Sequence, residues 1–140
     1  MPVFDFSECN CLAARKAARR LTLVYDAKLA PCGIKTSQLT ILAAIDRKGE
    51  LTVNDLAEIM VLDRTTTGKN LKPMERDGYL KSVVSKTDRR SRSISLTGKG
   101  KTLLAQAYPL WKSAHEQFQR KHGAKFAADY REMLREVTEA

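Results

Sequence analysis

Basic, hydroxyl-bearing and amide side chains are concentrated between residues 63 and 92 of the 140-residue chain. Nine Lys and Arg side chains stand against four acids there, a net charge of +5 out of +9 for the whole chain. Positive charge gathered in so short a segment suits a polyanion, above all nucleic acid, better than it suits general solubility. The candidate DNA contacts are Arg64, Thr65, Thr66, Gly68, Lys69, Asn70, Lys86, Asp88, Arg89, Arg90 and Arg92.

These residue types match the groups that DNA exposes. An ammonium group such as that of Lys69 suits guanine O6 and N7, threonine methyls can contact thymine, and Asn70 can bind adenine or a phosphate. Gly68 would let the backbone approach the DNA closely, and an arginine from a hairpin fits the minor groove, where the negative potential is strong. For any single Lys or Arg, the alternative role is phosphate contact without base recognition.

Two short helices joined by a tight turn are expected to position the first six candidates. A capping box at residues 52–55 begins the first helix, and Asp63 is a good N-cap for the second, which should end near Gly78. A short helix followed by a polar second helix is the pattern of a helix-turn-helix. Pro73 lies inside the second helix, so we expect either a bend near Asn70 or a first half of the helix that projects independently.

A β-hairpin is predicted to carry the remaining candidates. Residues 79–84 form a strand pattern, and residues 93–96 alternate polar and apolar side chains as a partner strand would. The charged residues 85–92 between them form the expected hairpin tip, or wing.

The rest of the chain predicts longer helices. One covers about residues 9–30, a second is capped by Thr36 or Ser37, and Thr97 caps a final helical region that breaks at Gly123. The apolar faces of the terminal helices are too extensive for so small a central domain to cover, so pairing with a second copy is expected. The predicted fold is mainly α with a small β-wing, with a winged helix-turn-helix at 36–97 and dimerisation helices at 1–35 and 98–140.

Several function classes receive no support. The chain has no Gly-rich phosphate loop, zinc-site spacing or Ser-His-Asp order, so an enzyme, a cofactor and a metal are not expected. His115 and His122 share a helix face without a thiol or acid partner, which favours a solvated or interface pair. No membrane span or export signal is visible, so a cytoplasmic location with reduced cysteines is expected.

Three nucleic-acid and protein-binding hypotheses remain. The first is a sequence-specific regulator, and the second is a nonspecific or architectural DNA-binding protein that uses the same basic face without reading bases. The third is a protein-interaction module, which would not need the concentrated positive charge.

The chain resembles the MarR family of transcriptional regulators. The resemblance covers nearly the whole chain and rests on residues 51–57, 62–67 and 71–78, and above all on the Asp-x-Arg wing and Leu-Thr-x-x-Gly pattern of residues 88–100. It implies a triangular homodimer built from the terminal helices, with two winged domains on a pseudopalindromic operator. It also implies that Arg90 enters the minor groove and that Asp88 orients its guanidinium group. Many such regulators release DNA on binding small aromatic or lipophilic acids, and others respond to oxidants, so a repressor released by such a signal is expected.

Cys11 resembles the position of the reactive cysteine in peroxide-sensing members of that family, and Tyr25 matches a tyrosine that contacts it. Arg15 stands where those members have a second tyrosine, and Arg15 and Tyr25 are therefore candidates for an effector pocket. The alternative for Cys11 is a small buried helix residue. Cys9 and Cys11 are expected to point about 200° apart on one helix, so they should not form a disulfide with each other or share one pocket.

Overall fold

A computed structural model describes residues 2–86, 90 and 92–139. Short 3-10 turns lie at Phe6–Glu8 and Ala30–Cys32. The helices and strands, in chain order, are α1 (Asn10–Leu29), α2 (Thr36–Lys48), β1 (Leu51–Thr52), α3 (Val53–Met60), α4 (Arg64–Arg76), β2 (Leu80–Val84), β3 (Arg92–Leu96), α5 (Gly98–His122) and α6 (Ala124–Thr138). The predicted class, mainly α with a small β-wing, is confirmed.

The sheet is antiparallel with strand order β1-β3-β2. In the predicted hairpin, Leu80 pairs with Leu96 and Val84 with Arg92. The sequence did not predict β1, whose two residues pair with Ile94 and Ser93 of β3. A two-residue strand is too short to show alternation, so only its partner strand reveals it.

The core lies between the helix-turn-helix, the sheet and the first half of α5. Its most completely buried side chains include Leu42 and Ile45 of α2 and Leu56 of α3. Leu29 from the end of α1 and Leu103 from α5 belong to the same cluster. The winged domain is therefore continuous with the ends of the terminal helices that lead into it.

The start of α2 differs from the prediction. Lys35, not Thr36 or Ser37, is the N-cap, and Thr36 is the first helical residue. The backbone N–H of Thr36 donates to Asp26 Oδ1 at 2.7 Å, and Gln38 Oε1 accepts from Lys35 N at 3.0 Å. The Asp26 carboxylate of α1 therefore accepts a hydrogen bond from a free N-terminal amide of α2. The sequence had predicted that the side chain of Thr36 or Ser37 would do this.

The turn and the second helix of the helix-turn-helix follow the prediction more closely. Thr52 and Asp55 form the predicted capping box of α3. Val61 in the turn has φ of 54°, a left-handed conformation that is costly for a β-branched residue. The helix α4 is one uninterrupted element through Asn70 and Pro73.

The long helix α5 and the final helix α6 meet at Gly123, as predicted, and α5 also packs along α1. Aromatic side chains line their junction, with the rings of Phe118 and Tyr130 5.6 Å apart. Several apolar side chains of α6 remain exposed in the single chain, including Met133 at 58% and Val137 at 71%. Within the described residues, no helix is long and apolar enough to cross a membrane.

Candidate nucleic-acid interface

Asp63 fixes the first turn of α4. Its Oδ1 accepts a hydrogen bond from the Thr66 backbone N–H at 2.7 Å, and its Oδ2 accepts one from Thr66 Oγ1 at 2.8 Å. These hydrogen bonds stabilise the carboxylate and lower the pKa of Asp63 below its ordinary value. The Thr66 hydroxyl therefore already donates its proton to Asp63. Thr66 can offer DNA its methyl group and an acceptor lone pair, but not a donated hydrogen bond.

The buried side of α4 defines the side that faces outward. Thr67, Leu71 and Met74 point into the core. The opposite side carries four exposed residues at spacings of three and four, of which all but the first are basic. These residues form the cationic stripe: Thr65, Lys69, Lys72 and Arg76. Gly68 and Asn70 flank the stripe and are half-buried, so they are less accessible than Lys69.

Lys72 and Arg76 were not among the predicted contacts, although they continue the stripe toward the C-terminus of α4. The signal that could have found them is their spacing from Lys69, which keeps the helical period beyond Asn70. Arg76 Nε lies 3.3 Å from Asp77 Oδ1, and both side chains are well exposed. Lys72 belongs to no ion pair among the described residues, which leaves its ammonium group available for a phosphate.

The wing presents a second set of cations. Lys86, Arg90 and Arg92 are exposed. Asp88 and Arg89 lie outside the described residues, so the implied orientation of the Arg90 guanidinium by Asp88 stays a prediction.

A shallow groove of about 200 Å³ joins the wing to α4. Gly68 and Lys72 of α4 line it together with Arg92 of β3. Ser82 Oγ of β2 donates a hydrogen bond to Glu75 Oε1 of α4 at 2.9 Å across the same groove. The structure thus brings candidates from the helix and the wing, far apart in sequence, onto one surface. Cations from both elements can contact neighbouring parts of one duplex.

The start of α5 anchors the end of α4. Thr97 Oγ1 accepts from Gly100 N at 3.0 Å and donates to the Gly78 carbonyl at 2.6 Å. Lys99 Nζ donates to the Asp77 carbonyl at 2.8 Å. A Cβ atom at Gly100 would lie 2.2 Å from the carbonyl oxygen of Tyr79, so only glycine fits there. The residues of the Leu-Thr-x-x-Gly pattern therefore hold the start of α5 against the turn after α4.

Comparisons with known proteins agree with this geometry. A model of the MarR family matches residues 33–91. The transcriptional regulator MosR of M. tuberculosis, solved in complex with DNA, is 32% identical, with a TM-score of 0.86 over 94% of this chain and 95% of MosR. The chain belongs to the MarR family. This assignment makes the protein a transcriptional regulator rather than an enzyme, as the sequence predicts.

Two other relatives of this MarR-family protein are more distant or partial. The ligand-bound PcaV regulator of Streptomyces coelicolor has a TM-score of 0.87 at 21% identity, covering 100% of this chain and 99% of PcaV, and shows the shared fold. The transcriptional activatory protein BadR of Rhodopseudomonas palustris is 33% identical over 72 residues, 49% of this chain. That match spans only 41% of the length of BadR.

The predicted effector residues separate in this MarR-family chain. Tyr25 lines a cavity of about 330 Å³ between α1, α5 and α6, together with His115, Tyr130 and Arg131. Burial raises the pKa of the Tyr25 phenol, and the positive charge of Arg131 partly offsets this rise. Arg15 is exposed and does not line the cavity, because ten residues along α1 separate it from Tyr25 by roughly 15 Å. The sequence did not identify Arg131 as the cation of this cavity, since that contact joins two distant helices.

The cysteines also differ from expectation. Cys11 is exposed in the single chain and not a buried helix residue. Cys9 lies before α1 as its N-cap, and its Sγ accepts a hydrogen bond from Leu12 N at 3.4 Å. Cys9 and Cys11 are both free thiols, as expected, but the premise was wrong, because Cys9 has an extended backbone and is not part of the helix.

The two histidines lie in separate aromatic contacts of α5. The His115 ring stacks on Trp111 at 5.0 Å between centroids, and its Nε2 is 3.0 Å from Gln119 Nε2. The His122 ring stacks on Phe126 at 4.9 Å. Within the described residues, no group of three or more His, Cys, Asp or Glu side chains could hold a metal ion.

Proposed function

We propose that the protein is a sequence-specific regulator that binds a pseudopalindromic operator as a homodimer and is released by a small-molecule or oxidant signal. In this proposal, residues 36–97 form the DNA-binding unit, and residues 1–35 and 98–140 form the dimer. We propose that it acts as a repressor. The relative BadR is named as an activator, so the direction of regulation is a separate measurement.

One observation carries the proposal, namely that Arg92 of the wing and Lys72 of α4 line the same groove. With the cationic stripe facing outward, α4 suits the major groove while the wing reaches the adjacent backbone or minor groove. MosR, which is 32% identical, was solved in complex with DNA, and this supports DNA as the partner. We assign base contacts to Thr65 and Lys69 and phosphate contacts to Lys72 and Arg92.

The exposed apolar surface of the terminal helices supports the homodimer. Phe126 is 49% exposed, and Met133 and Val137 are more exposed still. Phe4 and Phe6 add exposed aromatic surface before α1. Apolar side chains of this size are seldom left together in solvent, and a second copy would cover them in both subunits at once.

The cavity around Tyr25 is the proposed site for a small aromatic acid. Among the described residues, its lining contains the guanidinium group of Arg131 and no carboxylate, which favours an anionic ligand. The flat faces of Trp111 and Phe118 can contact an aromatic ring.

Cys11 is the proposed site for an oxidant signal. Cys11 is exposed in the single chain, and a peroxide would oxidise its thiol to a sulfenic acid while the peroxide is reduced to water or, for an organic hydroperoxide, to an alcohol. A Cys11→Ser variant should bind DNA normally but keep that binding after peroxide treatment. Equal loss of binding in both proteins would remove Cys11 from the proposal.

The test of the function is binding of the purified protein to the intergenic DNA beside its own gene, compared with random DNA across a salt series. A sequence-specific regulator should protect a pseudopalindrome and prefer it by at least about 10³-fold. Equal affinity for random DNA would instead establish the nonspecific or architectural alternative.

Two matched variants locate the surface. Lys72→Gln should weaken binding and reduce the slope of log K against log salt by about 2 per dimer, because each subunit loses one phosphate contact. Lys112→Gln removes the same charge from α5 and should leave the slope unchanged. If both variants change the slope equally, Lys72 is not part of the DNA interface.

Arg90→Ala should lower affinity for the operator severalfold. In a protein-interaction module, the same substitution should not change partner binding.

A further inference from the structure

Three exposed apolar side chains lie where α3 turns into α4, and they form the turn patch: Ile59, Val61 and Leu62. Their exposed fractions are 46%, 69% and 37%. A single exposed apolar side chain is ordinary on a protein surface. Here three of four consecutive residues are apolar and exposed, and none belongs to the terminal helices. The turn patch is therefore separate from the apolar surface assigned to the homodimer.

The backbone at Val61 adopts a conformation that its side chain disfavours. Its φ of 54° is the only positive value among the described residues other than glycine. A β-branched side chain raises the energy of this left-handed conformation, which glycine adopts freely. Val61 N donates to the Glu58 carbonyl at 3.3 Å, and Leu62 N donates to the Ala57 carbonyl at 2.9 Å. These hydrogen bonds fix the turn. Strained backbone concentrates at functional sites, so we looked for a role that the valine side chain can fill and glycine cannot.

The turn patch lies at the end of α4 that is expected to meet the bases. The first residues of a recognition helix contact base edges in the major groove. Asp63 caps this end of α4 directly after Leu62, and Thr65 of the cationic stripe follows two residues later. The turn patch is therefore continuous with the part of α4 to which base contacts are assigned.

The chemistry of the turn patch suits one group of the DNA. The N–H groups of Val61 and Leu62 already donate within the turn, so neither residue has a donor left for a base or a phosphate. Glu58 and Asp63 carry exposed carboxylates beside the patch, and these would repel the phosphate backbone. In the major groove, the apolar group that a base pair presents is the C5-methyl group of thymine.

We propose that the turn patch contacts thymine C5-methyl groups in the major groove, with Val61, its most exposed member, as the main contact. This inference rests on the proposed function and deepens it, because it names a base that the protein selects. Each half-site is expected to contain thymine opposite the turn, next to the bases contacted by Thr65 and Lys69. A protein partner bound to the same patch would instead make DNA binding independent of these methyl groups.

Replacing thymine by uracil tests the proposal, because uracil forms the same base pair and lacks only the C5-methyl group. The probe is the duplex that the wild-type protein protects in its own intergenic DNA, with each thymine replaced singly. Uracil opposite the turn should weaken wild-type binding about fourfold, the effect of one buried methyl group. Val61→Gly should bind the thymine and uracil duplexes with nearly equal affinity at the same positions. Thymines contacted by Thr65 should keep their uracil penalty in this variant.

The ratio of thymine to uracil affinity separates a lost contact from a general effect on the turn. If glycine only made the turn more flexible, both affinities would fall together and the ratio would not change. Val3→Gly is the matched control, since it removes an exposed valine far from α4 in the sequence and should keep the wild-type ratio at every position. Circular dichroism confirms that both variants fold.

The outcomes distinguish this proposal from the proposed function. If the wild type protects a site but no uracil penalty depends on Val61, the thymine contact is overturned while the sequence-specific regulator stands. The same holds if the protected site has no thymine in its half-sites. If the wild type protects no site at all, the proposed function and the thymine contact fail together.

Discussion

Replacing Gly100 by alanine is expected to destabilise the protein. The new Cβ would lie 2.2 Å from the Tyr79 carbonyl oxygen and 3.1 Å from its carbonyl carbon, so one backbone segment must move by about 1 Å. That movement strains the hydrogen bonds of Thr97 to Tyr79 O at 3.1 Å and to Gly78 O at 2.6 Å. Overpacking of this kind costs about 3 kcal/mol, and the better helix propensity of alanine returns up to about 1 kcal/mol. We expect a net loss of about 2 kcal/mol.

Thermal unfolding followed by circular dichroism measures this loss. For a chain of this size, about 2 kcal/mol corresponds to a fall in Tm of roughly 6 °C. Gly98→Ala is the matched control, because its Cβ would meet no atom within 4 Å in the same first turn of α5. The proteins are compared at equal concentration, since association raises the apparent stability. If Gly100→Ala melted at the same temperature as Gly98→Ala, the claim that close packing of Gly100 against Tyr79 stabilises the fold would be refuted.

The remaining predictions concern one turn, one helix cap and one cavity. Val61→Gly should raise stability by up to about 1 kcal/mol, seen as a higher urea midpoint, because it removes a left-handed β-branched residue. Asp63→Asn should be less stable than the wild type at pH 7. Since folding lowers the pKa of Asp63, that difference should shrink as the pH falls from about 4 through the folded pKa, and a difference unchanged at low pH would refute the cause. Arg131→Gln should raise the phenol pKa of Tyr25 further in an ultraviolet titration compared with the wild type, because the positive charge that lowers it is lost.

The DNA-facing elements were predictable because their signals are local. The first turn of α4 depends on Asp63, and its buried face repeats at helical spacing through Thr67 and Met74. The hairpin shows alternation in β3 and a charged tip between the strands. Interactions within a few residues leave such patterns in one sequence without any knowledge of the tertiary structure.

The missed features depend on contacts between distant segments. Asp26 of α1 satisfies the first amide of α2, and β1 exists only through its pairing with β3. Arg131 approaches Tyr25 across two helices that are about a hundred residues apart in sequence. Nothing in the local pattern near any of these residues identifies its partner, so a pattern-based prediction could not find Arg131 beside Tyr25.

The helix α5 connects the Tyr25 cavity to the DNA-binding surface as one uninterrupted helix. Trp111 lines that cavity, and Gly100, three turns earlier on the same helix, lies against the Tyr79 carbonyl with no space for even one methyl group. Lys99 and Thr97 add hydrogen bonds to the residues that end α4. Because close-packed segments have no empty space between them, a displacement of one segment moves the other. A ligand in the Tyr25 cavity that moves α5 is therefore expected to move α4, and the Gly100→Ala variant should lower DNA affinity as well as stability.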